Sequence, residues 1–437
     1  MRPRVVIVGA GFGGLTCARA LRRAAVDVLL VDANNYHLFT PLLYQVASSL
    51  LDPSQIAQPV RALIRPLANC DFMLARAEGA DFQRQVVLTD HGEVHYDFLV
   101  VAAGSESNYF GNASVQQHAI GLKELPEGLA LRNWVLSSFE AAQYEDDESA
   151  RRQLLTFAVV GGGPTGVEYA GALQELIHLV LRKDYRNLDL DQARVVLLEG
   201  SATVLGAFDP GLRRAAVRSL EGKGVDVWFD ALVRNADQSG VELEDGRRLA
   251  AGTVVWTAGV KASPLGTALG LPVGRGERVA VDGFMNPEGL TNVFVVGDLA
   301  AYEQAGQPLP MLIPVAMQEA KHAASVIRAL VEGAIARDFR YSDPGFMATI
   351  GRNSAVAQLG PVKLSGFPGW LMWLAVHLIN VVTFRAKVFV LAEWAVDYLR
   401  FDRPIRLIVR ALSPPRAPGS KPRAPAREGP RRPRATS

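Results

Sequence analysis

The sequence predicts an α/β architecture: two Rossmann-like folds, the first interrupted by the second, followed by a C-terminal amphipathic helical region. Three observations carry that prediction. A strand–glycine turn–helix–strand unit opens the chain in "RVVIVGAGFGGLTCARALRRAAVDVLLVDANN". A second unit of the same kind runs from "LLTFAVVGGGPTGVEYAGALQELIHLVL" to "ARVVLLEG". Much later, from Gly369, comes "GWLMWLAVHLINVVTFRAKVFVLAEWAVDYLRF", which holds three of the six tryptophans. With 437 residues the chain is long enough for two or three domains with ample core.

The elements follow in order. "RVVIV" is a short continuous apolar run, as expected of a strand buried on both faces of a parallel sheet. A helix pattern follows its glycine turn, and the next apolar run ends in Asp32. "YDFLVVAAG" and "TVVWTAGV" read as further buried strands that break at a glycine. "NVFVVGDLA" is a late strand leading into the helical "IPVAMQEAKHAASVIRALVEGAIA", and "RYSDPGFMATIGRNSAVAQLG" reads as β structure with turns. The Pro- and Arg-rich stretch over 411–437 has no apolar periodicity and is expected to be disordered, either solvated or touching anionic lipid.

Composition narrows the function. A formal net charge of +2 gives no field that would favour nucleic acid. Cys17 and Cys70 form no CxxC pair, which argues against a disulfide framework, a cysteine zinc site and dithiol redox chemistry. No metal site is expected. The start "MRPRVVIVGAGFGG" leaves no room for a cleavable apolar leader.

Gly9, Gly11 and Gly14 form GxGxxG between strand and helix, with Asp32 closing the next strand. In such a unit the first glycine permits the tight turn and the second lets the backbone approach a pyrophosphate. The third lets helix and strand pack closely, and the acid accepts hydrogen bonds from ribose hydroxyls. Gly161, Gly163 and Gly166 repeat the pattern, and Glu199 closes the following strand after the insertion "RKDYRNLDLDQA". A carboxylate there favours NADH over NADPH, because it binds a free 2′-hydroxyl and repels a 2′-phosphate. Two such folds point to a flavin and a nicotinamide used together. The glycines do not say which is which, but Asp298, at the end of a late strand, is placed to hydrogen-bond a flavin's ribityl chain.

The motifs "VVIVGAGFGGL", "NNYHLFTPLLYQVAS", "VVAAGSESNYFG", "AVVGGGPTGVEYAGAL", "VVWTAGVKASPL", "NVFVVGDLA" and "ATIGRNSAVA" occur in this order. Together they resemble the type II NADH dehydrogenases, single-chain NADH:quinone oxidoreductases that do not pump protons. The resemblance runs from residue 4 to about residue 410. It implies non-covalent FAD against Gly9, Gly11, Gly14 and Asp32, with its ring near Pro41 and Gln45 and its ribityl at Asp298. It implies NADH on Gly161, Gly163, Thr165, Gly166 and Glu199, with Glu168 close to both rings. Hydride then passes to flavin N5, and the electrons go to a membrane quinone. The implied domains are 1–120 with 290–340 for FAD, 150–260 for NADH, and 341–410 for a β segment and membrane-associating helices.

One motif departs from the family. Where much of the family reads AQxAxQ, the segment Met317 to His322 keeps Gln318 and has His322 at the second glutamine. Gln318 and His322 are accordingly candidates for the quinone side. His322 is read either as a hydrogen-bond or proton donor to quinone or as a histidine on the helix face.

In the aromatic tract, Trp370 to Phe384 leaves only about fifteen residues for a helix after Gly366, Pro368 and Gly369, short of the ~20 needed to span the hydrocarbon. His377, Asn380 and Thr383 make a polar stripe, and Arg403, Arg406 and Arg410 fall at helical spacing. This pattern predicts a helix pair lying in a membrane surface through residues 370–410, its tryptophans at the interface. The other reading is a hairpin packed on the body or forming a dimer. The resemblance places the enzyme peripherally on the cytoplasmic face of the bacterial inner membrane. The rival functions are a soluble NAD(P)H-dependent flavin reductase and a membrane-bound redox sensor that no longer turns over.

Overall fold

A computed structural model describes residues 2–400, 403 and 405–409 of the chain; the stretch 411–437, expected to be disordered, and Arg410 lie outside them. Two five-stranded parallel sheets organise it. The first has the order Val293–Val295, Phe98–Val101, Arg4–Val8, Asp27–Asp32, Cys70–Leu74. The second has the order Ile120–Gly121, Thr253–Trp256, Thr156–Val160, Arg194–Leu198, Val225–Trp228. The central strands are closed to solvent on both faces, with Val5, Val6, Ile7, Phe157, Ala158 and Val159 all at 0% exposure, which explains why their sequences run apolar without alternation.

The duplication extends further. Each sheet is interrupted in sequence by a three-stranded antiparallel unit, Ala77–Asp81 to Gly92–His95 in one and Val233–Asp237 to Arg248–Ala250 in the other. The folds are joined by an antiparallel ribbon in which Ser105–Ser107 pairs with Val260–Ala262. The second fold therefore takes in a strand at residue 120, earlier than the expected boundary at 150. Residues 262–301 return to the first fold, where Ala262, Leu269, Leu271 and Val279 share a core with Val6 and Val101. The sequence gives no such signal because Ile120–Gly121 is a two-residue edge strand.

The long helix Ile313–Glu332 lies on helix Phe12–Ala20 of the first glycine unit. Its inner face is small, with Ala316, Ala320, Ala323 and Ala324 buried, and it ends at Gly333 in the left-handed conformation (φ 69°). A third antiparallel sheet, Phe346–Thr349, Ala355–Leu359 and Val362–Ser365, then leads into helices Gly366–Asn380 and Phe384–Arg400.

The C-terminal region departs from expectation in three ways. Gly366, Pro368 and Gly369 form the first turn of the helix instead of preceding it, a position that Pro tolerates because the first N–H groups have no intrahelical partner. The tryptophans face protein: Trp373 is 1% exposed, Trp370 stacks on Tyr398, and Trp394 bonds to Gln45. Residues 405–409 are not helical, so Arg403 and Arg406 do not share a helix face; Arg410, the third residue of the expected stripe, lies outside the described residues. No helix among the described residues is long and apolar enough to cross a membrane.

Candidate active site

The two glycine units have matching geometry. Gly9 and Gly161 have φ of 105° and 108°, and their N–H groups donate to Val31 and Leu198 carbonyls, each at 2.8 Å. A Cβ at Gly14 would lie 1.8 Å from the Gly9 oxygen, and one at Gly166 would lie 1.9 Å from the Gly161 oxygen. Only glycine permits that approach. Asp32 Oδ2 accepts from the Ala10 N–H and Glu199 Oε2 from the Gly162 N–H, both at 2.6 Å. Each acid thus braces the turn that precedes it. Burial raises the Asp32 carboxyl, and the Ala10 and Asn34 N–H groups oppose that shift.

The middle glycine of each turn is open on its outer side. A Cβ at Gly11 or Gly163 would meet nothing within 4 Å. Both residues are helix N-caps with no side-chain hydrogen bond to the first turn. Two open helix N-termini, each beside an acid, are suited to two pyrophosphates and their riboses. Thr165 lies in the exposed first turn of the second helix.

Asp298 lies at the end of strand Val293–Val295, where its carboxylate accepts from Ser105 Oγ and faces Lys123 Nζ at 3.5 Å. The turn beneath it is held by Glu319, whose Oε2 accepts from the Gly297 N–H at 2.7 Å and whose Oε1 has no partner. Burial pushes the Glu319 carboxyl up to about 8. His37 is a similar brace, bonding through Nδ1 to the Ala10 carbonyl at 2.9 Å and packing its ring on Phe12. The thiols of Cys17 and Cys70 are raised to about 12 by burial, so they stay protonated at neutral pH.

Pro41 lies in the turn Thr40–Leu42, just before the short helix that carries Gln45. Gln45 is buried; its amide donates to Tyr44 Oη and its carbonyl accepts from the Trp394 indole, both at 2.8 Å. Glu168, on helix Pro164–Glu175, accepts from the Thr349 N–H at 3.2 Å. Burial raises its carboxyl to about 8, against the Thr349 N–H and the neighbouring Trp373 indole. Tyr44, Gln45, Thr349, Trp373 and Trp394 line a cavity of about 50 Å³. All three parts of the chain contribute to its wall.

Arg403 closes that cavity from the C-terminal side. It is 2% exposed and donates to the Ser48 and Ala172 carbonyls at 2.9 Å each. It also faces Glu175 and Asp397, both at 3.4 Å, while Arg406 pairs with Asp184 at 2.8 Å. Sequence spacing had directed both arginines to a lipid surface; nothing in that spacing marks partners more than two hundred residues away.

Gln318 and His322 are not brought to this cluster. Both amide ends of Gln318 bond the Ser342 backbone, at 2.8 and 3.0 Å. His322 Nε2 bonds the Gly283 carbonyl at 2.9 Å, and its ring packs on Phe339. They line an open groove of about 690 Å³ together with residues 334–340 and hold that returning segment. The inward-facing residue of the motif is Glu319, one position along.

Residues 3–320 match the pyridine nucleotide-disulphide oxidoreductase family, and residues 344–403 match the NDH2 C-terminal domain. The chain is 41% identical over 417 residues to the type II NADH:quinone oxidoreductase Ndh of Mycobacterium tuberculosis, covering 92% of this chain and 89% of that one. The chain belongs to the type II NADH:quinone oxidoreductases. A second member, NdhA of the same organism, is 40% identical over 91% of this chain and 87% of its own. The type II fold is also that of NDH2 from Plasmodium falciparum in complex with NADH, with a TM-score of 0.84 at 17% identity over 94% of this chain and 100% of that one.

Proposed function

We propose that this protein oxidises NADH and reduces a membrane quinone, with FAD on the first fold and NADH on the second. The observation that carries the assignment is the pair of matching glycine units, each with an open helix N-terminus beside an acid. FAD, when bound, would supply the redox chemistry, the acceptance of a hydride and its release as electrons, without proton pumping.

The chain's own residues bind, orient and exclude water. Gly9, Gly11, Gly14 and Asp32 would hold the FAD pyrophosphate and ribose, with Asp298 toward the ribityl chain and Pro41 and Gln45 toward the ring. Gly161, Gly163, Thr165, Gly166 and Glu199 hold NADH. Glu168, raised to about 8 by burial, keeps a proton at neutral pH beside the Thr349 N–H and the Trp373 indole.

The C-terminal helices leave Ile379, Phe384 and Leu399 at 70%, 81% and 76% exposure. This apolar surface supports peripheral binding to the cytoplasmic face of a bacterial membrane through residues 370–409. A second copy of the chain is the alternative occupant. The assignment is tested anaerobically with purified protein: NADH should bleach the bound flavin, and a short-chain quinone should restore its colour. An enzyme bleached by NADH but not reoxidised by quinone would leave only a flavin reductase.

A further inference from the structure

We infer that Phe110 is the residue that holds the nicotinamide half of NADH, an inference that rests on the assignment of NADH to the second fold. Phe110 is unusual on two counts. Its backbone is left-handed (φ 52°), which is costly for a bulky residue, and its side chain is 67% exposed. Neither the conformation nor the exposure is offset by burial within the protein.

The loop that carries Phe110 is nonetheless rigidly fixed. The Phe110 N–H donates to Asn108 Oδ1 at 2.8 Å, and the Asn108 N–H donates to the Gly259 carbonyl at 3.0 Å. The Trp256 indole donates to the Asn108 carbonyl at 2.8 Å, and Tyr109 stacks on the Trp256 ring at 5.9 Å. The ring tip of Phe110 lies over Gly259, 3.2 Å from where a Cβ would be. A side chain at 259 would therefore push the ring out of place.

This position follows the direction of the dinucleotide. Ligands of parallel sheets lie across the carboxyl ends of the strands. Strand Thr156–Val160, which leads into the glycine turn, has Arg194–Leu198 on one side and Thr253–Trp256 on the other. Glu199, after the first neighbour, marks the adenosine ribose. The nicotinamide half must then extend over the end of the other neighbour, toward residues 257–259. Ala258 abuts the glycine turn there, its Cα 2.6 Å from a Cβ placed on Gly161. Beyond Gly259 the ribbon Val260–Ala262 leads to the FAD fold. Phe110 stands over this path as an exposed aromatic ring on a loop whose backbone is fixed before the ligand arrives.

The test uses the full-length, FAD-loaded protein and three variants: F110A, F110L and F110Y. Binding of NAD⁺ and of ADP-ribose, which lacks nicotinamide, is measured by calorimetry, and anaerobic flavin bleaching is followed against NADH concentration. Because base–aromatic stacking amounts to about tenfold or more in affinity, F110A should weaken NAD⁺ binding and raise the half-saturating NADH concentration about tenfold. ADP-ribose affinity, FAD content and reoxidation by quinone should not change. F110Y should restore NAD⁺ binding, and F110L should restore only part of it. Equal losses for ADP-ribose and NAD⁺, or unchanged NAD⁺ affinity in F110A, would overturn the inference. If wild-type flavin is not bleached by NADH, the functional assignment itself fails and this inference falls with it.

Discussion

At the scale of single residues, the site consists largely of backbone positions and buried carboxyls. G14A and G166A test the two folds separately, because each forces a Cβ into a carbonyl at under 2 Å. Overpacking of this kind costs about 1–3 kcal/mol. The G14A protein is expected to lose FAD on gel filtration. G166A should keep its FAD but require about tenfold or more NADH for half-maximal bleaching. The buried acids give a pH signature. Glu168 and Glu319 are both raised to about 8 from 4.5. The folded protein therefore binds more protons than the unfolded chain between those values. Stability is greatest below about pH 4.5 with respect to these groups and falls as pH rises through 8. E168Q and E319Q should each flatten that fall, seen as melting temperatures that converge with or exceed wild type toward pH 8. A parallel pH dependence in wild type and both variants would show that these carboxyls are not buried as described.

At the scale of elements, legibility followed local pattern. Both parallel sheets, the turns at Gly9 and Gly161 and the acids at Asp32 and Glu199 could be read because each is a short apolar run meeting a glycine at fixed spacing. Glu319, His37 and Arg403 could not, because each acts on a backbone group far along the chain. Gln318 and His322 show a related limit: both bond distant backbone, at Ser342 and Gly283, and spacing alone does not say which face of a helix turn points inward. The C-terminal helices show the same limit, since tryptophans suit a membrane interface and a protein core equally well in sequence. Their packing makes a prediction at this scale. Arg403 joins the end of the second helix region to Ser48, Ala172 and Glu175. R403M should remove the Arg403 hydrogen bonds to Ser48 and Ala172 while Glu175 keeps Lys223 at 2.8 Å, and cost about 1–3 kcal/mol, read as a lower denaturant midpoint.

At the scale of the whole molecule, two nucleotide folds and a C-terminal cap meet at one cavity. The cap's outward apolar residues predict membrane contact. Replacing Ile379, Phe384 and Leu399 together with Ser should remove roughly 1–3 kcal/mol of binding per side chain and release the enzyme from sedimenting lipid vesicles. Unchanged sedimentation, with a dimer that dissociates instead, would assign this surface to a second copy. The core beneath the cap has a practical consequence for anyone seeking a soluble form of this enzyme. Trp373, Val381, Ala386 and Val390 belong to the same buried cluster as Leu42, Phe139 and Val167. Cutting the chain before residue 366 would therefore open the core that these residues share with both nucleotide folds, along with removing the cap's outward apolar side chains. Detergent-free preparations should come from repainting the outer side chains of the cap, leaving its inner wall in place.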